Sequence, residues 1–399
     1  MSDSPRLFFV NRVYWPAGGA TAQLLTDLAE GLAARGWTVH VVTAGEGDTV
    51  HRGVTIHRTA TPDRHGGLVA RAWNYRCFLS VAVRQLAALT RPGDIVVTLT
   101  DPPMLGVRVV AGLAGRDVRV VQWIQDIYPE IATAHYGKFL GRLLKSWKRQ
   151  RDEAWRASAA CVTLGEDMAA VIAAAGVPAT RVAIIPNWAP RELDAAPPSN
   201  LVATRREQWR ACGRFVVVYS GNLGRVHEFD TVLAAIAALQ DNPDVTFHFV
   251  GRGPRMRAIA QAAHARGLRQ LEFHPPVARE ELPALLAAAD AHLVTLQPAF
   301  GSLVYPSKLA GVLAAGRPTL FVGPTTGDIA RLLRTQDCGA AFAPGDASGL
   351  AAVIAHWAAE RAIPERLGRN ARRAYAEGFT RDAALNQWDA RLRALGRHS

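Results

Sequence analysis

Short apolar runs alternate with longer stretches of helical period along almost the whole chain. "RLFFVN" (6–11) predicts a first buried strand, "GGATAQLLTDLAEGLAARG" (18–36) a glycine loop feeding an amphipathic helix, and "WTVHVVTA" (37–44) a second strand. Strand, glycine turn, helix and strand within 44 residues make a βαβ unit. "DIVVTLT" (94–100), "VRVVQWI" (118–124) and "ACVTLG" (160–165) continue the series, with helical patterns between several of them. Unbroken apolar strands alternating with helices predict a parallel sheet covered on both faces.

The pattern stops at "NWAPRELDAAPPSN" (187–200), where three prolines interrupt any periodicity, and then restarts. Strand-like "FVVVYS" (215–220), "VTFHFVG" (245–251), "LEFHPPV" (271–277), "AHLVTL" (291–296) and "PTLFVG" (318–323) are separated by helical segments, and "RDAALNQWDARLRALG" (381–396) is a final helix. The expected organisation is a first α/β domain over 1–190, a linker over 191–203, a second α/β domain over 204–378 and a tail helix within 379–399. Two Rossmann-like, doubly wound parallel-sheet domains facing across a cleft are the predicted architecture.

Ligands of open α/β sheets bind beyond the carboxyl ends of the strands, so residues just after each strand carry the chemistry. Gly221-Asn222-Leu223-Gly224 follows the first strand of the second domain, with Arg225 and His227 next. Such a loop either lets backbone N–H groups and nearby charge approach a phosphate or is a plain strand–helix turn. In "VYPSKLAGVLAAGRP" (304–318), Ser307 is placed to cap a helix. Lys308 then sits in the first turn, where a bound diphosphate would offset an unfavourable charge. Gly18-Gly19 occupies the matching position in the first domain. Asp126 in "WIQDIYPE" and Asp101 in "TDPP" follow strand ends and read either as catalytic carboxylates or as structural caps.

There is no Asp-x-Asp, HExxH, GxxxxGK[ST] or G-x-S-x-G, and "VGRGPRM" (250–256) lacks the third glycine of a dinucleotide fingerprint. No metal site is expected. With 46 Lys+Arg against 34 Asp+Glu, the net charge of +12 favours anionic partners. The basic residues are scattered among helices rather than striped with aromatics, which argues against nucleic acid. Cys77, Cys161, Cys212 and Cys338 have no metal-ligand spacing and read as buried, reduced thiols. The N-terminus lacks a signal-peptide pattern and no apolar stretch approaches a membrane span, so a cytoplasmic protein is expected. "GKFLGRLLKSWKRQRDEAW" (137–155) predicts a basic amphipathic helix with Lys138, Arg142, Lys145, Lys148, Arg149 and Arg151 set among Phe139, Leu140, Leu143, Leu144 and Trp147. It would either pack on the first domain or lie on an anionic membrane surface.

Taken together, "YWPAGGATAQLLTDLAEGLAARGWTVHVVTA", "WIQDIYPE", "IIPNWAP", "VVVYSGNLGRVHEFDTVLAA", "FVGRGP", "AAADAHLVTL" and "YPSKLAGVLAAGRP" resemble the retaining glycosyltransferases of family 4, which have the GT-B fold. The likeness is greatest to the subgroup that builds bacterial surface polysaccharides, including fucosamine transferase-like enzymes.

The resemblance implies transfer of a hexosyl or hexosaminyl unit from a UDP- or GDP-linked sugar to a polyprenyl-diphosphate-linked glycan, with no resident cofactor. It further implies a donor site formed by Gly19, Gly221, Asn222, Arg225, His227, Gly251, Val277, Ser302, Ser307 and Lys308, with the base near "FVGRG" and "FHPPV". Asp126 would polarise the acceptor hydroxyl, with Asp101 as a further carboxylate, and the tail helix would cross back to the first domain. The family's usual arginine and lysine after the first loop glycine are here Asn222 and His227, with Arg225 restoring one charge. Its two glutamates with seven residues between them align with Leu303 and Gly311. A nucleotide-sugar 2-epimerase-like isomerase and a catalytically silent sugar-nucleotide-binding subunit are the rival readings.

Overall fold

The computed structural model of the protein describes residues 5–61, 66–137 and 144–397. The chain forms two compact units. Unit 1 comprises Met1–Pro186, Leu303–Tyr305 and Asp382–Ser399; unit 2 comprises Asn187–Ser302 and Pro306–Arg381.

Unit 1 holds β1 (Leu7–Val10), β2 (Val39–Ala44), β3 (Thr49–His51), β4 (Val54–Thr59), β5 (Ile95–Thr98), β6 (Arg119–Trp123), β7 (Ala160–Thr163) and β8 (Val182–Ile184). Their order is β3-β4-β2-β1-β5-β6-β7-β8, with β3–β4 antiparallel and every other described pair parallel. Phe8 and Val10 point to one face of β1 and pack on Phe78, Leu86, Leu105 and Val109 of helices Leu68–Leu89 and Leu105–Gly112. A strand buried on both faces must be apolar at every position, which is why "LFFV" reads as a run rather than an alternation. β1 lies between β2 and β5, so the sheet's order reverses direction at β1.

Unit 2 holds β9 (Phe215–Asn222), β10 (Val245–Arg252), β11 (Leu271–His274), β12 (Ala291–Thr295), β13 (Thr319–Val322) and β14 (Gly339–Phe342). The order is β11-β10-β9-β12-β13-β14, all parallel, and the reversal falls at β9. Phe215, Val217, Tyr219, Phe247 and Phe249 form the core of one face with helices Asp230–Ala238 and Ala347–Ala359.

Two expected segments differ. The stretch 191–203 is not a plain linker: it contains a 3-10 turn, Arg191–Leu193, and the first half of helix Ser199–Gln208. Arg372 donates to the carbonyls of Leu193 and Asp194, Tyr375 Oη donates to Asp194, and Leu193 is buried. Nor does one helix span 137–155. Helix Glu130–Tyr136 ends at Gly137, whose φ of +89° is not helical, and a second helix runs from Lys145 to Ala157. Lys138, Phe139, Leu140, Arg142 and Leu143 lie outside the described residues. Arg151 faces inward, 4% exposed, with both terminal nitrogens on Glu130 at 2.7 and 2.9 Å and its guanidinium 3.8 Å above Trp155. Lys148 pairs with Asp152, while Trp147 is half exposed.

The tail helix Arg381–Gly396 belongs, from Asp382 onward, to unit 1. Trp388 packs edge-on against Trp123 of β6, and Asp389 accepts a 2.6 Å hydrogen bond from Trp37 Nε1.

Candidate active site

In unit 2 the loop after β9 follows from three glycines. Gly221, Gly251 and Gly253 have φ of +129°, +152° and +151°. A Cβ on Gly251 would lie 1.9 Å from the Gly221 carbonyl oxygen, and one on Gly253 2.5 Å from that of Leu223. The ends of β9 and β10 therefore touch backbone to backbone, where only hydrogen fits. The next residues are pinned from outside. Arg255 Nη1 donates to the His227 carbonyl at 2.8 Å, and Gln297 Nε2 donates to the carbonyls of Arg225 and His227, each at 3.2 Å. Sequence reasoning missed Arg255 and Gln297; a polar residue two positions past the end of β12 was the available signal.

Beneath this loop lies Tyr219, fully buried, whose hydroxyl donates to the Asn222 carbonyl at 2.9 Å. Lys308 Nζ donates to the same hydroxyl and sits 3.7 Å from the ring centroid. The missing Cβ of Gly221 leaves the Lys308 ammonium beside the loop backbone, 3.8 Å from where that Cβ would be. Burial holds the Lys308 pKa well below the ordinary lysine value, and among the described residues no carboxylate pairs with it. The structure thus brings together Gly221, Asn222 and Lys308 through Tyr219, a residue the sequence offered only as a core aromatic.

Two expected roles change. His227 supplies no charge: it is 8% exposed, and burial together with the Lys308 and Arg255 charges lowers its pKa to about 3. Its Nδ1 lies 2.6 Å from the Thr295 carbonyl, so Nδ1 carries the hydrogen and the neutral ring offers Nε2 as an acceptor. Ser307 occupies the position before helix Lys308–Ala314 but makes no capping bond. Its torsions, φ −59° and ψ −23°, are already helical, whereas a capping side chain needs extended backbone. Ser302 lies in the turn after Pro298–Phe300, and no hydrogen bond among the described residues ties it to Lys308. Arg225 is exposed on the loop.

A pocket of about 270 Å³ opens beside Val250 and is walled by Trp209, His274, Pro275, Pro276 and Val277. Arg205 and Glu281, paired at 2.7 Å, line it as well, so its walls are of mixed polarity. At its edge His248, Glu272 and His274 bring ligand atoms within 4.8 Å of one another, the two imidazoles already joined at 2.9 Å. The positions expected for the paired glutamates are apolar. Leu303 is buried, and a Cβ on Gly311 would meet Leu286 and Leu193 at 3.5 and 3.6 Å.

In unit 1, Asp126 follows β6 and its backbone bridges Val304, while Ile127 N donates to the Leu303 carbonyl at 2.9 Å. Asp126 caps no helix, because helix Glu130–Tyr136 starts after Pro129. Burial, reinforced by the Asp101 charge, pushes its pKa up to about 6. Asp101 itself is committed to Arg12, with Nη2–Oδ2 at 3.0 Å and Nε–Oδ1 at 3.2 Å. Burial raises the Asp101 pKa and Arg12 opposes that. Asp101 thus pairs with Arg12 and reinforces the shift at Asp126. Gly19, at φ +119°, opens helix Ala20–Ala33, with open space where a Cβ would stand.

Comparison with known proteins follows the same division of the chain. Residues 18–188 match a family model described as a glycosyl transferase 4-like domain, and residues 214–360 one described as glycosyl transferases group 1. Among curated relatives, WcaI of Escherichia coli K12, described as a colanic acid biosynthesis glycosyl transferase, is 30% identical over 161 residues, covering 40% of this chain and 39% of WcaI. WbjE of Pseudomonas aeruginosa, described as a glycosyltransferase, is 25% identical over 272 residues, 68% of this chain and 67% of that protein. The solved structure of Anabaena HepE, in complex with UDP and glucose, superposes with a TM-score of 0.73 at 16% identity, covering 98% of this chain and all of HepE. Two doubly wound sheets and two family matches, one on each, agree: the chain belongs to the glycosyltransferases of the GT-B fold.

Proposed function

We propose that the protein transfers a sugar from a nucleoside-diphosphate donor to a hydroxyl of a lipid-linked glycan, with retention of configuration, in bacterial surface-polysaccharide synthesis. The observation that carries this reading is Lys308: a cation partly buried beside the glycine loop, among described residues that place no carboxylate against it. A buried charge without a partner is costly, and a diphosphate is the partner the family chemistry supplies. The exposed Arg225 and the hydroxyl of Ser307 extend the same anion site. The pocket at Val277 takes the base, and His227 Nε2 accepts from a hydroxyl. WcaI supports the polysaccharide setting, WbjE supports glycosyl transfer, and HepE supports UDP as the nucleotide.

In the transfer itself unit 2 stabilises charge on the departing nucleoside diphosphate, which is where such sites contribute most to rate. Asp126 of unit 1 accepts the proton of the attacking hydroxyl; a pKa of about 6 leaves it mostly ionised at neutral pH yet basic enough to accept. Arginine and lysine replace a metal in neutralising the diphosphate. Contact with an anionic leaflet rests on Lys145, Trp147 and Arg149, a narrower surface than 137–155, because Arg151 is used internally. Among the described residues no helix is long and apolar enough to cross a membrane.

The test is incubation of the protein with labelled UDP- and GDP-sugars and a bacterial lipid fraction, with and without excess EDTA. Label entering the lipid fraction in both cases, with the donor's anomeric configuration in the product by NMR, is expected. An inverted product, or activity that EDTA abolishes and magnesium or manganese restores, counts against the mechanism. Conversion of the donor sugar without an acceptor supports the isomerase instead.

A further inference from the structure

A second charged site lies in unit 1. Beyond the ends of β1 and β2 a cavity of about 710 Å³ is walled by Arg12, Arg58 and Arg71, with Tyr14, Tyr75 and Phe78 behind them. Its size is that of a small-molecule binding pocket. Among the described residues, Glu46, on the exposed loop after β2, is its one acidic lining residue. The three guanidinium groups arrive from separate elements: the loop after β1, strand β4 and helix Leu68–Leu89.

Two of them are held in place. Asp101 grips Arg12, whose guanidinium lies 5.3 Å from the Tyr75 ring centroid. Arg58 Nη2 donates to the Trp15 carbonyl at 3.0 Å, and its side chain passes Gly45, where a Cβ would meet Nη1 at 3.1 Å and Cδ at 3.2 Å. Among the described residues no carboxylate lies within ion-pair distance of Arg58 or Arg71. Fixed, forked donors facing a roomy cavity suit bidentate capture of a phosphate-type anion. Two of the arginines are linked to the proposed base and its neighbour. Asp101, which holds Arg12, acts on Asp126, and Arg71 acts on Tyr128, two residues further on.

We propose that this cavity binds the diphosphate of the acceptor, so that unit 1 holds one diphosphate and unit 2 another. The role as acceptor site rests on the glycosyltransferase reading; the binding of an anion does not. The chemistry is shared by a lipid-borne diphosphate ester and a soluble one, and two probes separate them.

Farnesyl diphosphate, below its micelle concentration, and inorganic pyrophosphate are titrated by calorimetry into the full chain in the presence of saturating UDP or GDP. Binding of either probe that falls about tenfold or more in Arg58→Gln and in Arg71→Glu, with nucleotide affinity and melting temperature unchanged, establishes the site. Arg71 is exposed, so its charge reversal does not depend on core packing. Tighter binding of farnesyl diphosphate than of pyrophosphate identifies the lipid ester as the source, and equal binding a soluble one. Displacement of the probe by the nucleotide, or equal affinity in wild type and both variants, overturns the proposal. Nucleotide affinity in Lys308→Ala tests the donor site separately, so either reading can fail alone.

Discussion

Asp126 in unit 1 and Lys308 in unit 2 face the same difficulty with opposite charges. Each lies beyond the strand ends of its sheet, and each is pushed by burial toward its neutral form. Their surroundings answer differently. Asp126 has a second carboxylate, Asp101, reinforcing the shift, while Lys308 has the hydroxyl and ring of Tyr219, which tolerate a cation without neutralising it. In the proposed mechanism the first arrangement serves as a base, with a pKa of about 6. The second, in the same proposal, keeps a place for an anion that arrives later. Burial alone would have made both groups inert; the neighbours decide what each is for.

The sharpest way to break the comparison is Asp126→Asn. Transfer should fall by about 10²–10⁴, the usual contribution of a positioned acid–base group. Stability should move the other way. A carboxyl whose folded pKa exceeds its unfolded value contributes stability that is fully present below the unfolded pKa of 3.8 and lost as pH rises through about 6. The asparagine variant should therefore melt higher than wild type at pH 8, by about 2–3 kcal/mol in stability, and show no such advantage at pH 4. Equal melting temperatures at both values would mean that Asp126 is not strained by burial.

Lys308→Ala should weaken UDP or GDP binding by about 10- to 100-fold, the worth of a charge-assisted contact, and Arg225→Ala, exposed and screened, by less. Calorimetry showing both affinities unchanged would remove the diphosphate from this loop. A smaller effect sharpens the same point. A lysine depressed in the free protein regains its proton beside an anion, so nucleotide binding should take up protons, and affinity should fall as pH rises through the free-protein pKa. Binding enthalpies in buffers of different ionisation heat read this uptake directly, and Lys308→Ala should abolish it.

The two sheets were legible because parallel strands buried on both faces leave unbroken apolar runs. β14 was not, since "GAAF" has neither β-branched residues nor alternation, and β3 and β8 are three-residue edge strands below any pattern length. Gly221, Asn222 and Lys308 could be picked out because strand ends in such sheets face the ligand. The neutrality of His227 could not: it depends on burial first and then on two cations that only the fold brings near, against the Thr295 carbonyl, which favours the charged ring. Arg151 misled for a related reason, because a helical wheel does not reveal a glutamate on a neighbouring helix. The arginine cavity was equally hidden, its three walls being 46 and 13 residues apart in sequence.

The tail helix has a consequence for biosynthesis. β6 of unit 1 leaves the ribosome early, but the Trp388 that packs on its Trp123 is made only after the whole of Asn187–Arg381. At roughly 5–20 residues per second that interval lasts about 10–40 s. Unit 2, though begun second, is complete first, and the N-terminal sheet waits with an indole-sized apolar patch uncovered. Loss of the tail should therefore show first in cells, as chaperone dependence and insolubility of newly made protein.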